Sequence, residues 1–278
     1  MAFTNNLQPS TMSMTDSPSI SLPRVALVTG AGRRLGRAIA LGLAQAGWDL
    51  ALHYRHSESD AIATRDAILA LGRRATLLQC DLSDEAAVRQ LVGQASAALG
   101  PLSCIVNNAS LFEYDSATAF SWELLNTHMQ ANVAAPVLLA QELHAATPDG
   151  RQAVVVNLLD QKLYNLNPDF LSYTLSKAAL HTATTMLAQA LAPKVRVVGV
   201  APGITMVSGD QSEQGFAAAH QMTPLQRSST PQDIADAVVY AATARALTGT
   251  TLLVDGGQHL MPSQRDVMFL TEPNNSTK

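Results

Sequence analysis

Short runs of uninterrupted apolar residues alternate along most of this chain with longer stretches of helical period. The strand candidates are Arg24–Thr29, Asp49–Tyr54, Ala75–Gln79, Leu102–Val106, Ala153–Leu158, Arg196–Val200 and Thr251–Val254. Between them lie Ala- and Leu-rich stretches such as Arg34–Ala46, Glu85–Leu99 and Pro231–Ala244, whose apolar residues recur at helix spacing. Strands that are apolar throughout and separated by helices bury both faces, which requires a parallel sheet with helices on each side. The pattern therefore predicts an α/β fold, a doubly wound parallel sheet of about seven strands in a single domain.

Three stretches depart from the alternation. Residues 1–22 are rich in Ser, Thr, Asn and Pro. They carry neither the basic nor the apolar region of a signal peptide and read as a flexible N-terminal leader. Gly203–Thr230 mixes Gly, Ser, Gln and Met and reads as a long substrate lid, residues 203–230, with a short helix inside it. The folded domain is placed at 23–257, with a polar tail at 258–278.

Composition narrows the function. Of 278 residues, 47% are hydrophobic and 14% charged, which predicts a large core and not disorder. A net charge of −4 argues against nucleic acid or anionic membrane as partner. No apolar run approaches the roughly 20 residues of a membrane helix. Cys80 and Cys104 lie in or beside apolar runs and read as buried free thiols of a reducing, cytoplasmic compartment. The seven histidines are scattered, so no metal site is expected.

The first strand runs into Thr29-Gly30-Ala31-Gly32-Arg33-Arg34-Leu35-Gly36. Glycines there allow a tight turn and close approach to a pyrophosphate, and the following helix offers free N–H groups at its positive end. NAD binders place an acid at the end of the second strand for the ribose hydroxyls. This chain has His53-Tyr54-Arg55-His56-Ser57 instead, with Arg33 and Arg34 in the turn. Guanidinium groups suit a 2′-phosphate, so NADPH is the expected cofactor. Asp81-Leu82 would lie beside the adenine, and Asn107-Asn108-Ala109-Ser110 ends the fourth strand, where ligands of such sheets bind.

Tyr173 and Lys177 form Tyr-x-x-x-Lys, with Asp160 thirteen positions before the tyrosine. Residues four apart share a helix face. An ammonium beside a phenol favours the phenolate, and a phenol of near-neutral pKa can exchange a proton while a hydride moves.

Taken together, Thr29-Gly30-x-x-x-x-x-Gly36, Asn107-Asn108-Ala109, Asn132, Tyr173-x-x-x-Lys177, Pro202-Gly203 and Asp255-Gly256-Gly257 resemble the short-chain dehydrogenase/reductase family over nearly all of 24–257. The resemblance implies a Rossmann-type fold with Tyr173 as proton donor or acceptor. It implies that Lys177 holds the nicotinamide ribose and lowers the Tyr173 pKa, that Asn132 supports a water-mediated proton path, and that Asn108 packs near the cofactor, with Pro202 and Gly203 beside it. Such proteins are commonly tetramers packed through their two longest helices, here around Ser121–Ala146 and Leu171–Leu191.

Within that family the chain is most similar to pteridine reductases and bacterial dihydromonapterin reductases. Gly-x-x-Arg34-Leu35-Gly36, His53-Tyr54, Asn-Asn-Ala-Ser110 followed by Phe112, Asp160 in place of the usual serine, and Pro224-Leu225-Gln226-Arg227 carry this likeness. Reduction of a pterin C=N bond needs a proton on nitrogen, which a carboxyl beside a phenol can relay. Phe112 would stack on the flat ring, with Arg34, Ser110, Asp160 and Tyr173 as its other contacts; in a purely structural reading Phe112 is core and Asp160 a loop cap. Leu111, where some pteridine reductases have a small polar residue, makes the wall more apolar. The expected function is NADPH-dependent reduction of a dihydropterin or dihydrofolate. The alternatives are a ketone or 3-oxoacyl reductase of the same family, and a non-catalytic NADP-binding sensor.

Overall fold

The computed structural model describes residues 22–207 and 211–271. The expected leader up to Ser21, lid residues 208–210 and tail residues 272–278 lie outside the described residues.

Seven parallel strands form one sheet: β1 Val25–Val28, β2 Asp49–Tyr54, β3 Ala75–Gln79, β4 Cys104–Asn107, β5 Ala153–Leu158, β6 Val195–Pro202 and β7 Thr251–Val254. Their order is β3-β2-β1-β4-β5-β6-β7. The strand ends differ from expectation by a residue or two, as ladder bonding and not hydropathy fixes them. Successive side chains of each strand enter opposite cores, since the strand period is two. Ala26 and Val28 pack with Ile39 and Leu43 of α1 (Arg34–Gln45), Ile68 of α2 (Glu58–Ala70), and Ile234 and Val238 of α8 (Pro231–Thr243). Val25 and Leu27 pack on the other face with Leu91 of α3 (Glu85–Leu99), Leu139 and Leu143 of α5 (Ala135–Ala146), and Ala188 of α6 (Leu171–Ala190).

The chain leaves β3 at one edge and returns to place β4 beside β1. At that reversal the loops after β1 and β4 part, and the crevice beyond the carboxyl ends of the strands is the binding position of such sheets.

The stretch expected as one long helix, Ser121–Ala146, is two. α4 (Trp122–Met129) and α5 are joined by a π-helical segment, Gln130–Ala134. The wider turn admits an extra residue and places the buried Asn132 against the β4 loop. The lid stretch contains α7 (Glu213–Gln221), capped by Ser212, whose Oγ accepts from Gly215 N at 3.0 Å. A short helix α9 (Val267–Leu270) ends the described chain.

Candidate active site

The glycine turn is built by crowding. Gly30 has φ +64, and a Cβ at Gly36 would lie 2.1 Å from the Gly30 carbonyl oxygen. Arg34 also adopts a left-handed φ of 51, uncommon for a residue with a side chain. Two braces hold the turn. Thr29 Oγ1 accepts from the amides of Asn108 and Ala109, both at 3.0 Å, and Asn108 Nδ2 donates to the Thr29 carbonyl at 2.9 Å. Beneath it His53 Nδ1 accepts from Gly30 N at 3.1 Å, while Nε2 lies 3.1 Å from the Cys80 carbonyl. These partners require the neutral Nε2–H tautomer, and burial pushes the imidazole pKa down. Helix α1 then begins without a side-chain cap and without an acid in its first turn. By contrast α3 is capped by Asp84 and α8 by a Thr230–Asp233 capping box. The free N–H groups of α1 are thus left for an anion.

At the end of β2 the predicted cofactor residues divide. His53 is the internal brace just described, and Tyr54 is also buried, its hydroxyl donating to Glu58 at 3.4 Å. Arg55 and His56 are exposed, and Ser57 Oγ packs near Gly32. Arg55 lies 3.7 Å from Asp81, whose carboxylate otherwise closes its own turn by accepting from Ser83 N and Oγ. Leu82 packs against the core cluster between the sheet and α3.

The catalytic candidates converge at the far end of the same crevice. Tyr173 and Lys177 sit on one face of α6, 7% and 3% exposed. Tyr173 Oη donates to Asp160 Oδ2 at 2.8 Å, and Asp160 Oδ1 accepts from Lys162 N at 2.8 Å, capping a 3-10 turn over Gln161–Tyr164. Asp160 thus caps the turn with one oxygen and holds the Tyr173 hydroxyl with the other. Lys177 Nζ donates to the Leu158 carbonyl at 2.8 Å and lies 5.7 Å from the Tyr173 ring centre.

The electrostatics correct one expectation. Lys177 does not dominate the phenol. Burial and the Asp160 carboxyl, which accepts the phenol's hydrogen bond, raise the Tyr173 pKa well above its usual value. Burial likewise raises Asp160, and lowers Lys177 to about 8. Desolvation thus pushes all three groups toward their neutral forms.

Asn132 Oδ1 accepts from Leu111 N at 2.8 Å and from Ser110 Oγ at 3.3 Å, and Nδ2 donates to the Leu111 carbonyl at 3.1 Å and Ser176 Oγ at 3.0 Å. Its amide is occupied in joining the β4 loop to α6. Phe112, 42% exposed, is no core residue: it stacks on Phe170 at 4.3 Å and meets Tyr173 edge-on at 4.7 Å. Phe170 takes a left-handed φ of 53 just before α6. Asp115 ties that start down, accepting from Ser172 N at 2.8 Å and Ser172 Oγ at 2.5 Å.

A cavity of about 950 Å³ is lined by Arg33, Arg34, Leu35, Asn108, Ser110, Phe112, Asp160, Tyr173, Lys177, Pro202 and Gly203, among others. Gly30, Gly32, Gly36, Ala109 and the residues after β2 and β3 support or flank it and do not line it. Arg34 reaches the stretch after β6, donating to the Val207 carbonyl at 2.7 Å. Sequence reasoning missed Lys162, Asp169 and Phe170, and it expected the tail after Gly257 to reach a neighbouring subunit's site, whereas its residues Met261 to Met268 line the cavity of their own chain. Only the run Asp160-Gln161-Lys162 offered a signal, and nothing in it said that the lysine is buried.

Among the described residues no group of acids, histidines and cysteines could hold a metal ion, and no helix is long and apolar enough to cross a membrane.

A family model described as enoyl-(acyl carrier protein) reductase matches residues 30–259. A crystal structure of FolM alternative dihydrofolate reductase 1 from Brucella canis, complexed with NADP, superposes with a TM-score of 0.83 at 41% identity, covering 87% of this chain and 96% of that one. An uncharacterised oxidoreductase of Mycobacterium tuberculosis is 37% identical over 84% of this chain and 91% of its own length. The dihydromonapterin reductase of Klebsiella pneumoniae is 29% identical over 86% and 98%.

Proposed function

The chain belongs to the short-chain dehydrogenase/reductase family of oxidoreductases, and we propose that within it the protein is an NADPH-dependent reductase of pterins, converting a 7,8-dihydropterin or dihydrofolate-type substrate to its tetrahydro form. The observation that carries this reading is the 2.8 Å hydrogen bond between Tyr173 and Asp160 at the wall of a cavity that Phe112 also lines. The NADP-bound Brucella relative and the Klebsiella reductase support it.

The residues present fit the cofactor. An uncapped helix start behind Gly30, Gly32 and Gly36 suits a pyrophosphate. Arg33, Arg55, His56 and Ser57 suit a 2′-phosphate, with no acid at the end of β2 to oppose it. NADPH supplies the hydride. Lys177, fixed by the Leu158 carbonyl, offers its remaining N–H bonds to the ribose side of the cavity. Phe112, backed by Phe170, gives a flat wall for an aromatic ring. Asp160 and Tyr173 hold and pass the proton that the pterin nitrogen takes up, and Arg34 and Ser110 bind the edge of the ring. Asn132 acts by fixing Leu111 and Ser176 around them. A homotetramer packed through α4–α5 and α6 fits the exposure of Trp122, Leu175 and Met186.

One observation favours a second reading, a ketone or 3-oxoacyl reductase: Met206, Met222, Met261 and Met268 give the cavity an adaptable apolar wall. The decisive experiment measures NADPH oxidation against 7,8-dihydropterins, dihydrofolate and simple ketones, with NADH as control, for wild type and Asp160→Ser. Turnover of a dihydropterin, preferring NADPH and largely lost in the variant, is expected. Turnover of ketones alone, kept or improved in Asp160→Ser, would overturn the proposal.

A further inference from the structure

The chain after β7 doubles back over the cavity and is tied to the stretch that carries Asp160. Asn165 Nδ2 donates to the Met261 carbonyl, and its Oδ1 accepts from Ser263 N at 3.3 Å. Asp169 accepts from Arg265 Nε on both oxygens, at 3.1 and 2.9 Å, and Oδ2 also accepts from Asp266 N at 2.7 Å. Between these anchors lies Lys162, 3% exposed. Its Nζ donates to the Asp169 carbonyl at 2.5 Å, lies 3.5 Å from Asp266 Oδ2, and sits 5.4 Å from the Phe170 ring centre. A lysine is almost never so buried unless paired, and its available charged partner across the cavity wall is Asp266. The backbone N–H of the same lysine holds Asp160 Oδ1.

We propose that Lys162 and Asp266 are positioning residues for proton delivery: their ion pair fixes the segment 261–271 in the catalytic wall and acts on the reaction through Asp160. This rests on Asp160 being in the proton path of the proposed reaction. Asp160 faces Tyr173 and Lys177 on α6, Lys162 on its own turn, and Asp266 on the returning segment. Asp169 pairs with Arg265, Arg33 and Arg34 line the same cavity, and the ring centres of His128 of α4 and Tyr173 are 6.3 Å apart. Burial favours protonated Asp160, the hydrogen bonds it accepts from Lys162 N and Tyr173 Oη oppose that, the Asp266 carboxylate adds to it, and Lys177 opposes it. The Asp266 charge acts on Tyr173 in the same direction. The docked segment thus helps keep the acid loaded.

Removing the anion and removing the cation must then act with opposite sign. Reduction needs the protonated acid, so activity falls as pH rises through its pKa. Asp266→Asn, which can still cap α9, should move that fall to lower pH by roughly half to one unit, and Lys162→Met, which keeps the packing on Phe170, should move it higher. Lys162→Arg, which keeps the charge, should restore the wild-type profile. The experiment records kcat against pH for these variants with NADPH and a 7,8-dihydropterin. The same signs are read without turnover from carboxyl-carbon NMR titration of aspartate-labelled protein, the Asp160 signal being assigned by its loss in Asp160→Asn. Shifts in one common direction, or lower kcat with unmoved profiles and titrations, would overturn the inference. If wild type reduces no dihydropterin, the proposed substrate fails, and the titration still decides this point alone.

Discussion

Asp160 and Tyr173 are joined by one hydrogen bond in the proposed proton path, so they should behave as a unit when each is removed. Tyr173→Phe deletes a single oxygen. The ring keeps its edge contact with Phe112 at 4.7 Å, so binding of NADPH should change by no more than the ~1 kcal/mol of one hydrogen bond. Asp160→Asn keeps the shape and the acceptor for Lys162 N but removes the acid. General acid catalysis is worth roughly 10²- to 10⁴-fold, or about 3–5 kcal/mol of transition-state stabilisation. Each single variant should lose kcat by that factor. The two groups relay the same proton, so the double variant should lose little beyond the worse single one. The assay is steady-state NADPH oxidation with a 7,8-dihydropterin, beside cofactor titration by fluorescence. Losses that multiply in the double variant would mean two independent roles, and Tyr173→Phe turnover within about threefold of wild type would refute the relay.

Two further outcomes follow from the scaffold. The His53 imidazole is depressed by burial, so the unfolded chain binds a proton more readily than the folded one. Stability from this group is full above the ordinary histidine pKa of about 6.5 and falls as pH drops below it, by up to ~1.4 kcal/mol per pH unit. Thermal midpoints should therefore fall with acidification, and the slope should flatten in His53→Gln; an unchanged slope would deny His53 this part, with His220→Gln as control because burial depresses that ring as well. Asp115→Ala leaves Ser172 N and Oγ without their acceptor at the start of α6 and should cost about 2 kcal/mol in urea unfolding, with a loss of turnover from the displaced Tyr173; full activity and an unchanged midpoint would contradict it.

The sheet was legible because parallel strands buried on both faces are apolar at most positions, as in Ala153–Leu158, where Asn157 is the one polar residue. The Tyr173–Lys177 face was legible because four residues make one helical turn. Other parts were written in contacts between distant residues. His53 reads as a residue at a strand end, but its role comes from Gly30 and Cys80, which only the folded sheet brings to its two nitrogens. The expected lowering of the phenol counted the lysine four residues away and not the desolvation that dominates once α6 is covered. The C-terminal stretch is polar and reads as a tail. Its polarity is spent on Asn165, Lys162 and Asp169, about a hundred residues earlier in the chain. The break between α4 and α5 leaves no mark in hydropathy, since an α-helix and a π-helical turn bury much the same residues.

That π-helical turn makes the number of residues between Ser121 and Ala146 a constraint on the site. An α-helix advances by about 100° per residue. Deleting one residue from Gln130–Ala134 would allow a regular helix from Trp122 to Ala146 and gain backbone regularity. It would also swing everything on one side of the cut by that angle, carrying Asn132 away from Leu111 or the α5 core residues Leu139 and Leu143 away from α3. Insertions and deletions that the loops after Leu71 or Pro148 can absorb should be forbidden here, so homologous chains should vary in spelling between Ser121 and Ala146 while keeping the count of residues fixed.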